Sequence, residues 1–146
     1  MAAKVKPIPD GYHTITPYLT VKGVANLIEF LKRAFNATIT EHMAEPDGTV
    51  RHAEAKIGDS IVMMGEAGGQ WTPKPCTLYM YVQDVDSVYR RAIEAGAVSV
   101  REPANQFYGD RSGGVRDACG NEWWIATHVE DISKEELTLR AKAAGH

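Results

Sequence analysis

The chain has 146 residues, 44% of them hydrophobic and 24% charged, which is the composition of an ordinary globular protein long enough to bury its own core. Sixteen Lys and Arg against nineteen Asp and Glu give a formal charge of −3, well mixed along the chain, with no basic block for nucleic acid and no acidic tail for a charged partner. No apolar run approaches the ~20 residues that span a membrane, and Met1-Ala-Ala-Lys-Val-Lys lacks the apolar stretch of a signal peptide, so the expected address is cytoplasmic.

Residues 1–11 carry Pro7, Pro9 and Gly11 and read as an extended lead-in. His13 to Val21 has the β-branched and aromatic content of a strand. Lys22-Gly23 turns the chain, and Val24, Leu27, Ile28, Leu31 and Phe35 recur at helical spacing until Asn36. Ala37 to Glu45 and Thr49 to Ile57 read as a hairpin around Pro46-Asp47-Gly48, and Gly58-Asp59 turns into a last strand, Ser60 to Glu66. A Gly- and Pro-rich linker covers 67–75. The same order then returns. Cys76 to Val82 is a strand, and Val85, Val88, Tyr89, Ala92 and Ile93 line a helix closed by Gly96. Ala97 to Glu102 is a strand, Pro103 to Gly109 a longer loop, and Arg111 to Asp117 and Glu122 to His128 are strands joined at Cys119-Gly120-Asn121. Ser133 followed by Glu136 is a capping signal for a terminal helix over about 133–144. Cys76 and Cys119 fit no zinc spacing and are expected to be reduced, small hydrophobes.

The two halves are copies. Thr16, Tyr18, Val21 and Val24 match Thr77, Tyr79, Val82 and Val85 at a constant offset of 61. Two copies are too few for a solenoid, so the expected architecture is α+β, a single domain of two tandem βαβββ modules over about 12–66 and 76–130. Alternation separates the faces of each sheet. Leu19 and Val21, with Leu78, Met80 and Val82, belong under the helices, as do Ala53, Ala55 and Ile57. Tyr18 and Thr20, with Tyr79 and Tyr81, fall on the opposite faces, alongside His52, Glu54 and Arg116. Rings and hydroxyls on an inward face suit a ligand cup; the ordinary alternative is a solvated sheet.

This pattern resembles the vicinal-oxygen-chelate superfamily of glyoxalase I, extradiol dioxygenases and bleomycin-resistance proteins. Thr16-Pro-Tyr-Leu-Thr-Val, His52-Ala-Glu-Ala-Lys-Ile-Gly-Asp-Ser and the run from Asp110 to Asp131 are similar to its PhnB-like branch. Cys119 departs from the Phe common before Gly-Asn. The resemblance implies a half-open curled sheet, homodimers, and in metal-dependent members a divalent ion held at four strand positions. Those positions fall on Thr16, Met63, Thr77 and Trp124, and hydroxyl, thioether and indole are poor ligands or none. The usual metal site is therefore not expected and no cofactor is assigned, a divalent metal at other positions staying open.

Tyr18, Thr20, Tyr79, Tyr81, Trp124 and Arg116 are the ligand-binding candidates, with Trp71 and Tyr108 at the rim; His52 and Glu54 are the acid–base candidates. A structural hydrogen bond for His52 and an internal Glu54–Arg116 ion pair are the ordinary alternatives. Arg111 and Asp110 are expected to fix their loop, Trp123 to fill core, and His128 and Glu130 to lie at the surface. Three functions remain open: a binding protein for a small, possibly aromatic molecule; an enzyme using His52 and Glu54, with or without a non-standard metal; and an interaction module whose dimer is its function.

Overall fold

In the computed structural model, which describes residues 4–146, the chain divides into a unit ending at Pro75 and a unit beginning at Cys76. The first three residues of the expected lead-in lie outside the described residues.

The first unit runs β1 (Tyr18–Val21), α1 (Val24–Phe35), β2 (Thr38–Ala44), β3 (Val50–Ile57) and β4 (Ser60–Glu66), and its sheet is ordered β1-β4-β3-β2. β1 runs parallel to β4, and the other pairs are antiparallel. The apolar stripe of α1 lies on β3 and β4, and Leu19, Leu27, Leu31, Ala53, Ala55 and Met64 lose essentially all contact with water. Each such leucine contributes about 1.5–3 kcal/mol by burial. Asn36 ends α1 in the left-handed conformation that asparagine tolerates.

The second unit repeats this order: β5 (Thr77–Tyr81), α2 (Val85–Glu94), β6 (Val98–Asn105), β7 (Asp110–Arg116) and β8 (Glu122–His128), with sheet order β5-β8-β7-β6. Its core packs Val85 and Ala92 of α2 against β7 and β8, which contribute Val115, Trp123 and Ile125. The turn before β8 is organised by Asp117, whose buried carboxylate accepts from the backbone N–H groups of Cys119 and Asn121, the Asn121 amide and the Trp123 indole. The two sheets are not closed, and the expected α+β pair of βαβββ modules is what the chain forms. A third helix, α3 (Lys134–Ala143), starts at Ser133, whose hydroxyl accepts from Glu136 N–H at 3.1 Å. Arg140 ties α3 back to Glu130 through two hydrogen bonds of 2.7 and 3.1 Å. Among the described residues no helix is long and apolar enough to cross a membrane.

Two strand boundaries differ from expectation. β1 starts at Tyr18 rather than His13, because Pro17 has no N–H for a ladder and Thr16 turns its hydroxyl back onto the His13 carbonyl. β6 runs through Pro103 to Asn105, where a loop was expected. It is an edge strand with irregular register on either side of Arg101, and such an edge accommodates proline. The linker is also partly sheet-like: Gly68 and Trp71 exchange backbone hydrogen bonds, and Lys74 N–H donates to Thr20.

The repeat extends to the helix caps. Glu66, at the end of β4, accepts from the backbone N–H groups of Gly23 and Val24 at 2.9 and 3.1 Å. Thr127, at the matching place in β8, accepts from Val85 N–H at 2.9 Å. Each module thereby pins its helix to its last strand, and a carboxylate at a helix N-terminus also meets the favourable end of the helix dipole. Glu66→Ala is expected to lower stability by about 1–2 kcal/mol, with Glu66→Gln recovering part of the loss. An unchanged urea midpoint in Glu66→Ala would contradict this role.

Candidate functional site

Strand register decides which side chains stand together on the face of each sheet opposite its helix. In the first module one transverse row reads Tyr18, Met63, Glu54 and Glu41, and the next reads Thr20, Gly65, His52 and Met43. Glu54 is only 7% exposed and is answered on both carboxylate oxygens. Its Oε2 meets His52 Nε2 at 2.8 Å, and its Oε1 accepts a short hydrogen bond from the Tyr12 hydroxyl. Burial opposes its charge, but the hydrogen bonds from His52 and Tyr12 outweigh that, and its pKa falls below the usual glutamate value. The same bond raises the pKa of Tyr12. Because the carboxylate can only accept, Nε2 of His52 carries the proton and Nδ1 faces the Tyr18 hydroxyl at 3.3 Å. Tyr18, 53% exposed, ends this chain of four groups, its ring lying over Gly65, where any Cβ would collide with it. Beside it, Pro7, Ile8, Pro9, Tyr12, His13, Thr14, Thr16 and Met63 line an open cleft of about 460 Å³.

The second module carries a different constellation on the same frame. Its central row is Tyr79, Trp124, Gly114 and Arg101. Gly114 stands where the first module has Glu54, and the Trp124 indole lies over it: a Cβ at Gly114 would be 2.7 Å from the ring. The Arg101 guanidinium is 4.8 Å from the indole centroid. The carboxylate here is Asp110, at the start of β7 and 4% exposed. It accepts from the hydroxyls of Tyr79 (2.7 Å) and Tyr81 (3.0 Å) and meets His128 Nδ1 at 2.9 Å. Burial opposes its charge, yet the His128, Tyr79 and Tyr81 bonds hold its pKa below the usual aspartate value. Burial, then the hydrogen bonds to Asp110 and Tyr108, pushes the Tyr79 pKa far up; the Asp110 bond also raises that of Tyr81. Both phenols therefore stay protonated at neutral pH. The second nitrogen of His128 meets Asp131 at 2.7 Å, and these two carboxylates, Asp110 first, raise the His128 pKa.

This geometry gives the sequence candidates their partners. Within their own modules Glu54 is held by His52 and Tyr12, and Arg116 holds Glu122 at 2.8 Å. Asp110 fixes its loop through its carbonyl, which accepts from Gln106 N–H at 2.7 Å, and its carboxylate also anchors the two tyrosines. His128 lies at the surface as expected, and there it is held between two carboxylates. Arg111 pairs with Asp86 of α2 at 2.9 Å, and Trp123 is core as expected. His52 makes the expected cross-sheet bond as well as the Glu54 bond. Tyr108 comes close enough to Tyr79 to interact with it, whereas Trp71 is 62% exposed in its own tight turn. The sequence pattern gives no signal for Tyr12 and Arg101, and it marks Asp110 and His128 only as a loop residue and a surface residue. Alternation would have put Asp110 and His128 on the same faces as Gly114 and Trp124.

The donor chemistry at the four strand positions that hold a divalent ion in the resembled proteins does not suit one. Thr16 binds its own turn, Thr77 and Met63 offer hydroxyl and thioether, and the Trp124 N–H donates to Glu122. Among the described residues no three His, Cys, Asp or Glu side chains converge as a metal site requires.

His128 offers a pH readout. A histidine whose folded pKa is raised adds stability that is complete below its unfolded value of about 6.5 and is lost as pH rises through the folded value. Wild-type stability is expected to decline across that window above pH ~6.5, and the decline is expected to vanish in His128→Gln. Parallel urea-midpoint profiles for the two proteins would contradict the assignment.

The comparisons with known proteins agree with this frame. Residues 11–125 match the model of the Glyoxalase/Bleomycin resistance protein/Dioxygenase superfamily. The uncharacterized protein Rv0887c of Mycobacterium tuberculosis is 31% identical over 99% of this chain and 88% of its own, and Mb0911c of Mycobacterium bovis is 31% identical over 99% of both. Among solved structures, TioX from Micromonospora sp. ML1 superposes with a TM-score of 0.70 at 26% identity, over 80% of this chain and 99% of TioX. A PhnB protein from Bacillus cereus gives a TM-score of 0.63 at 17% identity, over 79% and 99%, a likeness of fold. The paired βαβββ modules and the matched span together place this chain in the glyoxalase/bleomycin-resistance/dioxygenase superfamily.

Proposed function

We propose that the protein binds a small, planar, at least partly aromatic organic molecule on the open sheet faces, without the divalent metal its superfamily commonly uses. One observation carries this reading. The strand positions that would supply metal ligands hold Thr16, Met63, Thr77 and Trp124, and rings crowd the same faces. Tyr18, Tyr79 and Tyr81 are each about half-exposed or more, although a folded chain of this size has every incentive to cover them. Their hydroxyls are held by His52 or Asp110, so the rings are fixed in orientation before a ligand arrives, which lowers the ordering cost of binding. Aromatic area with a few oriented polar atoms is the usual make-up of a small-molecule site.

A second reading has its own support. The chain Tyr12–Glu54–His52–Tyr18 beside an open cleft has the order of an acid–base relay, with a buried carboxylate orienting an imidazole that leads to an exposed phenol. In that case the protein is an isomerase- or lyase-type enzyme of the same superfamily, moving a substrate proton without electrophilic help at the four customary positions.

Protein purified without chelator is expected to carry only substoichiometric metal, and aromatic compounds are expected to quench its tryptophan emission saturably. Near-stoichiometric Ni, Zn, Mn or Fe, or no saturable quenching across an aromatic and dicarbonyl panel, would overturn the proposal. The enzymatic reading requires that Glu54→Gln, still folded by circular dichroism, abolish whatever turnover the panel reveals while binding persists.

A further inference from the structure

Arg101 is placed differently from other arginines of the chain. Arg51, Arg111, Arg116 and Arg140 each hold a carboxylate at 2.7–2.9 Å. Arg101 forms no ion pair among the described residues. Its partners are the hydroxyl of Ser112, itself fully buried, at 2.8 Å, and the ring of Trp124. The register of β6 against β7 is irregular on both sides of Arg101, the kind of bulge that re-aims a single side chain. Its neighbours on this face cannot neutralise it. Glu122 is taken by Arg116 and the Trp124 indole N–H, and Asp110 by two tyrosines and His128. An exposed guanidinium anchored by a buried hydroxyl, laid over an indole and left without a counter-ion, is a ready anion receptor.

We propose that the ligand is an aromatic carboxylate, its ring resting on the Trp124–Tyr79 part of the central row and its carboxylate on Arg101. This rests on the reading above that the open face binds a planar organic molecule, and it adds the ligand's charge and orientation. The row crosses three inter-strand spacings, about 14 Å, which accommodates a two-ring acid. A single free guanidinium matches a monoanionic carboxylate through paired N–H···O bonds, whereas a phosphate would call for further cations on this face. Arg116 is on the same side of the sheet but already neutralised, so it contributes little to the preference.

The test compares 1-naphthoate with its neutral isostere 1-naphthamide by titration calorimetry on the full chain. Wild-type protein is expected to bind the acid at least about tenfold more tightly than the amide, the worth of one good charge-assisted contact. Arg101→Gln is expected to remove that preference while leaving amide affinity nearly unchanged, and Arg116→Gln is expected to keep it. Arg101→Lys, a charge without the planar fork, is expected to restore only part. Equal binding of acid and amide by wild type would overturn this proposal and leave the binding function standing. A preference that survives in Arg101→Gln, or disappears in Arg116→Gln, would also overturn it. Binding of neither compound would count against both readings together.

Discussion

A carboxylate withdrawn from water must be answered by donors on each oxygen, and each module of this protein is organised around one such group. Glu54 and Asp110 are both nearly closed to solvent, and both stay charged because a histidine and tyrosine hydroxyls more than offset their burial. The consequence reaches the surface. A phenol that donates inward cannot swing freely, so Tyr79 and Tyr81 are pinned by Asp110, and Tyr18 by the imidazole that Glu54 orients. The exposed rings of the open faces are therefore set by charges beneath them, and removing either carboxylate would loosen the surface it supports.

The repeat is kept in the frame and broken in the chemistry. Strand order, the parallel pairing of first and last strands, and the cap that joins the last strand to the helix recur in both modules. The central row does not recur: Glu54 gives way to Gly114, Met63 to Trp124, and Glu41 to Arg101. Glycine at 114 makes room for the indole, and the displaced carboxylate function reappears at Asp110. The first module thus holds a hydrogen-bonded acid–base chain, and the second an aromatic row ended by a cation.

Most of the frame was legible in the sequence because period-two and helical spacings depend only on local geometry. Leu19, Val21, Ala53 and Ala55 fall beneath α1, and Tyr18, His52 and Glu54 fall on the other face, by alternation alone. The failures are just as physical. Pro103 reads as a break, but an edge strand needs no N–H from it, and edge status is a property of the whole sheet. The partners of Glu54 within its module are chosen by register and by a lead-in tyrosine, Tyr12, with no sequence pattern of its own. Arg101 stayed hidden for a similar reason: the bulge that turns it onto Trp124 interrupts the alternation from which its face would be read.

The central claim is that the ring-bearing face of the second module is where a ligand sits. Amide and indole N–H chemical shifts followed by NMR during titration with an aromatic ligand test this directly. Saturable shifts are expected at the Trp124 indole N–H and at the backbone of Tyr79, Tyr81, Arg101 and Gly114. Saturation with those signals unmoved, and shifts gathered instead around α3 or the outer face of α2, would contradict it.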